Sequence, residues 1–258
     1  MATYGLRFLE RQLRVFRIIN FNDDHKMNPK NLFQQKKSPK IFCISMQRSG
    51  TTSVGRFFQD HDIPWAGWPA DRDNNWSRAI HEGDFEAVFS SRDFKHARGF
   101  EDSPWFMPGL FKILYHRFPG SKFILLTRDP DAWFSSMLSH SEQTILGSHK
   151  IHASLYRREI EYYKLLDGGD LDGLDPLPDS RNTTKEDREK MTLSGWDEHY
   201  KALYQLYTRE VKDFFSRNDP ETLFHGSLED PDKWVKIGSF LGISVNPEYD
   251  SHENRSAR

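Results

Sequence analysis

Ile41-Phe42-Cys43-Ile44-Ser45-Met46-Gln47-Arg48-Ser49-Gly50-Thr51-Thr52-Ser53-Val54-Gly55-Arg56-Phe57-Phe58, residues 41–58, is the most telling stretch of this chain. It opens on an apolar run, turns through Gln47 to Ser53, and ends in a segment with helical periodicity. A strand, a glycine-containing turn and a helix start make a grip for phosphate. Backbone N–H groups at a helix N-terminus point at an anion, and the helix dipole adds partial positive charge. Gly50 lets the backbone approach a ligand closely. The hydroxyls of Ser49, Thr51, Thr52 and Ser53 add donors, and Arg48 supplies a fixed, planar charge. A nucleotide triphosphatase loop reads G-x-x-x-x-G-K-[ST], with the lysine on the terminal phosphates. Here Gly50 is followed by Thr51, and Ser45 stands where the first glycine would be. Taken alone, the stretch also fits a buried strand followed by an N-capped helix.

A second apolar run, Lys122-Phe123-Ile124-Leu125-Leu126-Thr127, is long enough for one buried central strand. It ends in Arg128-Asp129-Pro130, and Pro130 suits the first turn of a following helix. Ser136 lies eight residues after Arg128, about two helical turns into that segment. By itself, an Arg-Asp-Pro after a strand reads as a helix start with a solvated arginine.

Together, Gln47-Arg48-Ser49-Gly50-Thr51-Thr52 and the Arg128/Ser136 spacing resemble the sulfotransferase family, whose phosphosulfate loop is close to P-K-S-G-T-T. Gln47 takes the proline position and Arg48 the lysine position. The resemblance implies a single α/β domain of P-loop-like fold, with a central, mainly parallel sheet flanked by helices. It also implies a donor, 3′-phosphoadenosine 5′-phosphosulfate (PAPS), and its product adenosine 3′,5′-bisphosphate (PAP), with no metal. By the same resemblance, Arg48 and the segment Ser49, Gly50, Thr51, Thr52 and Ser53 hold the 5′-phosphosulfate. Arg128 and Ser136 hold the 3′-phosphate.

The catalytic base is less well marked. Many cytosolic sulfotransferases carry H-x-P before the Arg128-type strand, whereas this chain has Asp102-Ser103-Pro104. A carboxylate therefore stands where the imidazole would be, and Asp102 is the first candidate. Glu101 would point to the other face if the segment is extended, and His96 is a further candidate. Asp102 also fits an N-cap ahead of Ser103-Pro104-Trp105. Near the end, Phe240-Leu241-Gly242 and the stretch from His252 to Ser256 resemble the family's closing helix and terminal loop. The likeness offers Arg255 as a phosphate contact.

Composition agrees with an ordinary soluble enzyme. The 258 residues suit one α/β domain, and 36 Lys+Arg against 38 Asp+Glu give a net charge of −2. That balance offers no support for nucleic-acid binding. Hydrophobic residues make up only 36%, but the 14% of aromatics can fill a core with large rings. Cys43 is the sole cysteine, so neither an internal disulfide nor a thiolate zinc site can form. No apolar run approaches the roughly 20 residues of a membrane span.

Residues 5–20 read as a packed amphipathic helix, whose Arg and Glu argue against a signal peptide, and a cytoplasmic location is expected. Residues 1–39 then form an N-terminal helix and connector, and 40–258 the sulfotransferase domain. Within that domain, 167–190 is a loop insertion or lid rich in Asp, Gly and Pro. Asp170-Leu171-Asp172-Gly173 resembles part of a calcium loop, but its first ligand position would be Gly168. Trp65, Trp68 and Trp76 read either as acceptor-pocket wall or as core. The acceptor is a small molecule or a glycan, and a homodimer is compatible with the resemblance. Two other readings stay open: a P-loop small-molecule kinase, and a non-catalytic nucleotide-binding protein of the same fold.

Overall fold

A computed structural model describes residues 39–145, 147–167 and 189–251. The chain divides into two units, Met1–Ser38 and Pro39–Arg258, and every described residue belongs to the second. The helix and connector expected before Ser38, most of the 167–190 loop with its calcium-like stretch, and Arg255 lie outside the described residues.

In chain order the elements are β1 (Ile41–Cys43), α1 (Thr51–Asp60), β2 (Trp65–Ala66), α2 (Trp68–Asn74), α3 (Trp76–Glu82), α4 (Phe85–Phe89) and α5 (Arg92–His96). There follow β3 (Gly99–Phe100), α6 (Leu110–Arg117), β4 (Lys122–Thr127), α7 (Pro130–Ser141), α8 (His149–Leu155), α9 (Glu159–Asp167) and α10 (Asp197–Asn218). A 3₁₀ turn, β5 (Leu223–Ser227) and α11 (Lys233–Leu241) complete the set. The five strands form one parallel sheet in the order β2-β3-β1-β4-β5.

Parallel strands need covered faces, and the central β1 and β4 are apolar on both sides. Successive side chains alternate. Phe42, Phe123 and Leu125 enter the core shared with Leu110 and Phe111 of α6, Trp133 and Phe134 of α7, and Tyr207, Val211 and Phe215 of α10. Ile41, Cys43, Ile124 and Leu126 enter the opposite core, with Val54, Phe57 and Phe58 of α1 and Trp234 and Ile237 of α11. Cys43 is a fully buried free thiol. The aromatic content is spent mainly on the first core, where Phe42 lies within 6.4 Å of Phe94, Phe100, Trp105, Phe118 and Phe123, centroid to centroid.

The helical stretch that follows β4 is interrupted. Glu142, Gln143 and Arg157 take left-handed conformations, so the chain forms α7's end, α8 and α9 in place of one continuous helix. The longest described helix is α10, at 22 residues. Among the described residues no helix is long and apolar enough to cross a membrane.

Candidate active site at the carboxyl ends of the strands

Because all five strands run the same way, the loops leaving β1, β2, β3, β4 and β5 converge at one edge of the sheet, where open α/β sheets place ligands. A cavity of about 2000 Å³ lies there, lined from each of these loops: by Gln47, Arg48 and Gly50, by Trp68, by Glu101 and Asp102, by Arg128, and by Leu228 and Glu229.

The loop after β1 is shaped by two left-handed residues, Arg48 (φ 66°) and Gly50 (φ 84°). Gly50 is the N-cap of α1, and the first intrahelical bond runs from the Val54 N–H to the Gly50 carbonyl, 3.1 Å. No acidic residue lies in the helix's first turn to compete with an anion. A Cβ at Gly50 would be strained by the backbone conformation, and at 2.5 Å from Leu228 Cδ1 it would force that side chain to shift. Thr51, Thr52 and Ser53 line the cavity with it. Ser49 does not, for its side chain is fully buried, with its hydroxyl 3.4 Å from that of Tyr204.

Arg128 and Ser136 are brought to the same place. Asp129 caps α7 by accepting from the Asp131 and Ala132 N–H groups, and Pro130 occupies the first turn as the sequence suggests. Arg48 Nε donates to Ser136 Oγ at 3.2 Å, and Arg128 Nη1 donates to the Arg48 carbonyl at 3.4 Å. Glu229 lies 3.5 Å from Arg128 Nε. Burial and the neighbouring Arg128 push the Arg48 guanidinium below its ordinary range, and Asp102 pulls it back. Two like charges this close, beside a helix N-terminus, are stabilised by an anion between or beside them.

The carboxylates occupy the opposite part of the wall. Asp102 is not an N-cap: it has φ 63°, and its carbonyl accepts from the Trp105 N–H at 3.0 Å. That left-handed turn breaks the strand alternation, so Glu101 and Asp102 both line the cavity, which corrects the opposite-face expectation for Glu101. Burial, then the charge of Asp71, push the Asp102 carboxyl up to about 6, against the Ser103 N–H and Arg48. Glu101 is buried, and desolvation followed by the Asp102 charge push it up to about 9. His96 stands on the exposed α5, its Nδ1 2.7 Å from the Arg92 carbonyl, and does not line the cavity.

The three tryptophans divide. Trp76 is core at 1% exposure, whereas Trp65 and Trp68 line the cavity. Sequence reasoning missed His140, Tyr204 and Glu229. His140 lies one helical turn beyond Ser136 on α7 and lines the cavity, a spacing that could have flagged it. Burial and Arg48 push its pKa down. Tyr204 and Glu229 reach the site from 76 and 101 residues beyond Arg128, and no local pattern marks them. Among the described residues no group of three or more His, Cys, Asp or Glu is placed to hold a metal ion.

No curated protein matches the chain. Among solved structures it is similar to a sulfotransferase from Alicyclobacillus acidocaldarius, at 15% identity and a TM-score of 0.43, over 85% of this chain and 86% of that one. The profile of the sulfotransferase domain spans residues 40–257, taking in every strand and the whole lining of the cavity, and the chain therefore belongs to the sulfotransferase family.

Proposed function

We propose that the protein moves a sulfuryl group from PAPS to a hydroxyl or amine of a small-molecule or glycan acceptor. The observation that carries this reading is the meeting of Arg48, Arg128 and Ser136 at the N-terminus of α1, through contacts of 3.2 and 3.4 Å. One nucleotide with phosphates at its 3′ and 5′ positions can touch all three.

In this reading Arg128 and Ser136 bind the 3′-phosphate, and that remote binding energy orients the donor. As the acceptor oxygen or nitrogen bonds to sulfur, the bond from sulfur to the 5′-phosphate oxygen breaks, and negative charge grows on that phosphate. Arg48 and the amides opening α1, which line the cavity, are the groups assigned to stabilise this charge. Arg48 cannot serve as an acid, so its contribution is electrostatic. Asp102 takes the proton that the acceptor loses, since its raised pKa still leaves it ionised near neutral pH. The arginines supply the neutralising charge, so the scheme draws on no metal. Glu101 and Asp102 face the acceptor side, with Trp65 and Trp68 as aromatic wall.

Calorimetry with PAP, followed by transfer from PAPS to a panel of sugar, phenol, peptide and amine acceptors, tests the reading. PAP binding that Arg128→Ala weakens, together with sulfated product, is expected. A chain that binds no PAP overturns it.

A further inference from the structure

Glu101 is seated between two glycines. A Cβ at Gly67 would come within 1.9 Å of Glu101 Oε1, and one at Gly55 within 3.1 Å of its Cγ. Both α1 and the entry to α2 thus omit a side chain where this carboxyl group lies. The residue is only 4% exposed. The Trp68 N–H donates to the carboxyl group. Oε2 is itself buried and has no hydrogen-bond partner. An ionised carboxylate there would have to be desolvated with little compensation, directly beside a second carboxylate. A neutral acid removes the repulsion and the larger part of the desolvation cost.

We propose that Glu101 is kept as a neutral carboxylic acid, leaving Asp102 as the ionised member of the pair and its base. The base role of Asp102 rests on the transfer reading above, but the proton's location on Glu101 does not. The groups set around the pair agree. Asp71 of α2, held by the Ser77 N–H at 2.6 Å and the Ser77 hydroxyl at 2.7 Å, adds negative charge near Asp102. Arg48 lies on the Asp102 side and favours ionisation there. Cys43 on β1, pushed up to about 12 mainly by burial, stays a thiol. α1 faces Glu101 with Gly55. Environments that drive two neighbouring carboxyls apart in pKa assign one as acid and the other as base.

Infrared difference spectra between pH 7 and pH 10 test the assignment on the intact chain. A protonated-carboxyl band should be present at pH 7, survive in Asp71→Asn and vanish in Glu101→Gln. Carbon-13 labelling of glutamate carboxyls in the unsubstituted chain gives the same readout should the variant fail to fold. In Asp102→Asn the Glu101 titration should move down, because the adjacent charge is gone.

Stability supplies a second measure. A folded pKa of about 9 against an ordinary 4.5 means that the unfolded chain releases a proton which the folded chain keeps. The folding equilibrium should therefore fall by up to about tenfold per pH unit across that window, and Glu101→Gln should remove that slope. With PAPS and 4-nitrophenol as the acceptor probe, or water where the phenol is refused, the rise of kcat/KM through pH 6 should stay in place in Glu101→Gln, since a neutral Glu101 adds no charge beside Asp102. A Glu101 ionised at pH 7, or a kcat/KM rise that moves to lower pH in Glu101→Gln, overturns the proposal. A chain that shows the band yet binds no PAP would remove the transfer reading alone.

Discussion

The two ends of the cavity are built in opposite ways. At the cationic end, Arg48 donates to Ser136, Arg128 to the Arg48 carbonyl, and the Arg128 N–H to the Tyr204 hydroxyl at 2.9 Å. These groups are fixed by protein before any ligand arrives. At the acidic end, Glu101 has an oxygen with no partner, Asp102 is held at φ 63°, and both carboxyls resist ionisation. Preorganised charge suits recognition and electrostatic stabilisation. Unsatisfied, perturbed groups suit proton chemistry. The contrast teaches that binding and reactivity are divided between the loops after β1 and β4 on one side and the loop after β3 on the other.

The sharpest way to break this division is at Arg48. Arg48→Ala should lower turnover by roughly a hundredfold or more, with circular dichroism unchanged. Near-normal turnover would remove it from the mechanism. Asp102→Asn should cost about a hundredfold in kcat while PAP affinity, read by calorimetry, stays the same. Its pH profile sharpens the point. A base with a pKa of about 6 must be unprotonated to act, so kcat/KM should rise through pH 6 and level off above it. Arg128→Ala should act the other way, weakening PAP binding by about tenfold or more and altering kcat less. The smallest effect belongs to Tyr204→Phe. Loss of one buried hydroxyl, leaving the Arg128 N–H without its acceptor, should destabilise the fold by about 1–3 kcal/mol, measured by urea unfolding.

The cationic end was largely legible in the sequence because its signals are local. An apolar run, a glycine turn and a helix start within residues 41–58, and an arginine eight residues before a serine, each lie on one strand–loop–helix unit. The parallel sheet follows from strands with no polar face. The acidic end was less legible. Whether Glu101 and Asp102 diverge or line one wall depends on a single left-handed residue, and a non-glycine sequence gives little notice of that. Trp65, Trp68 and Trp76 look alike in sequence, but only the first two reach the cavity. Tyr204 and Glu229 are supplied by α10 and by the turn after β5, so their roles appear only once the sheet order is known.

The Tyr204 hydroxyl joins the loops that leave β1 and β4. It lies 3.4 Å from Ser49 Oγ and accepts the Arg128 N–H, while its ring stacks on Trp133 at 4.5 Å. A single phenol therefore rivets the exits of two adjacent strands and sets the gap between their arginines like the jaws of a caliper. A ligand too short to bridge that gap would satisfy one jaw and leave the other empty, so length itself becomes a criterion of recognition.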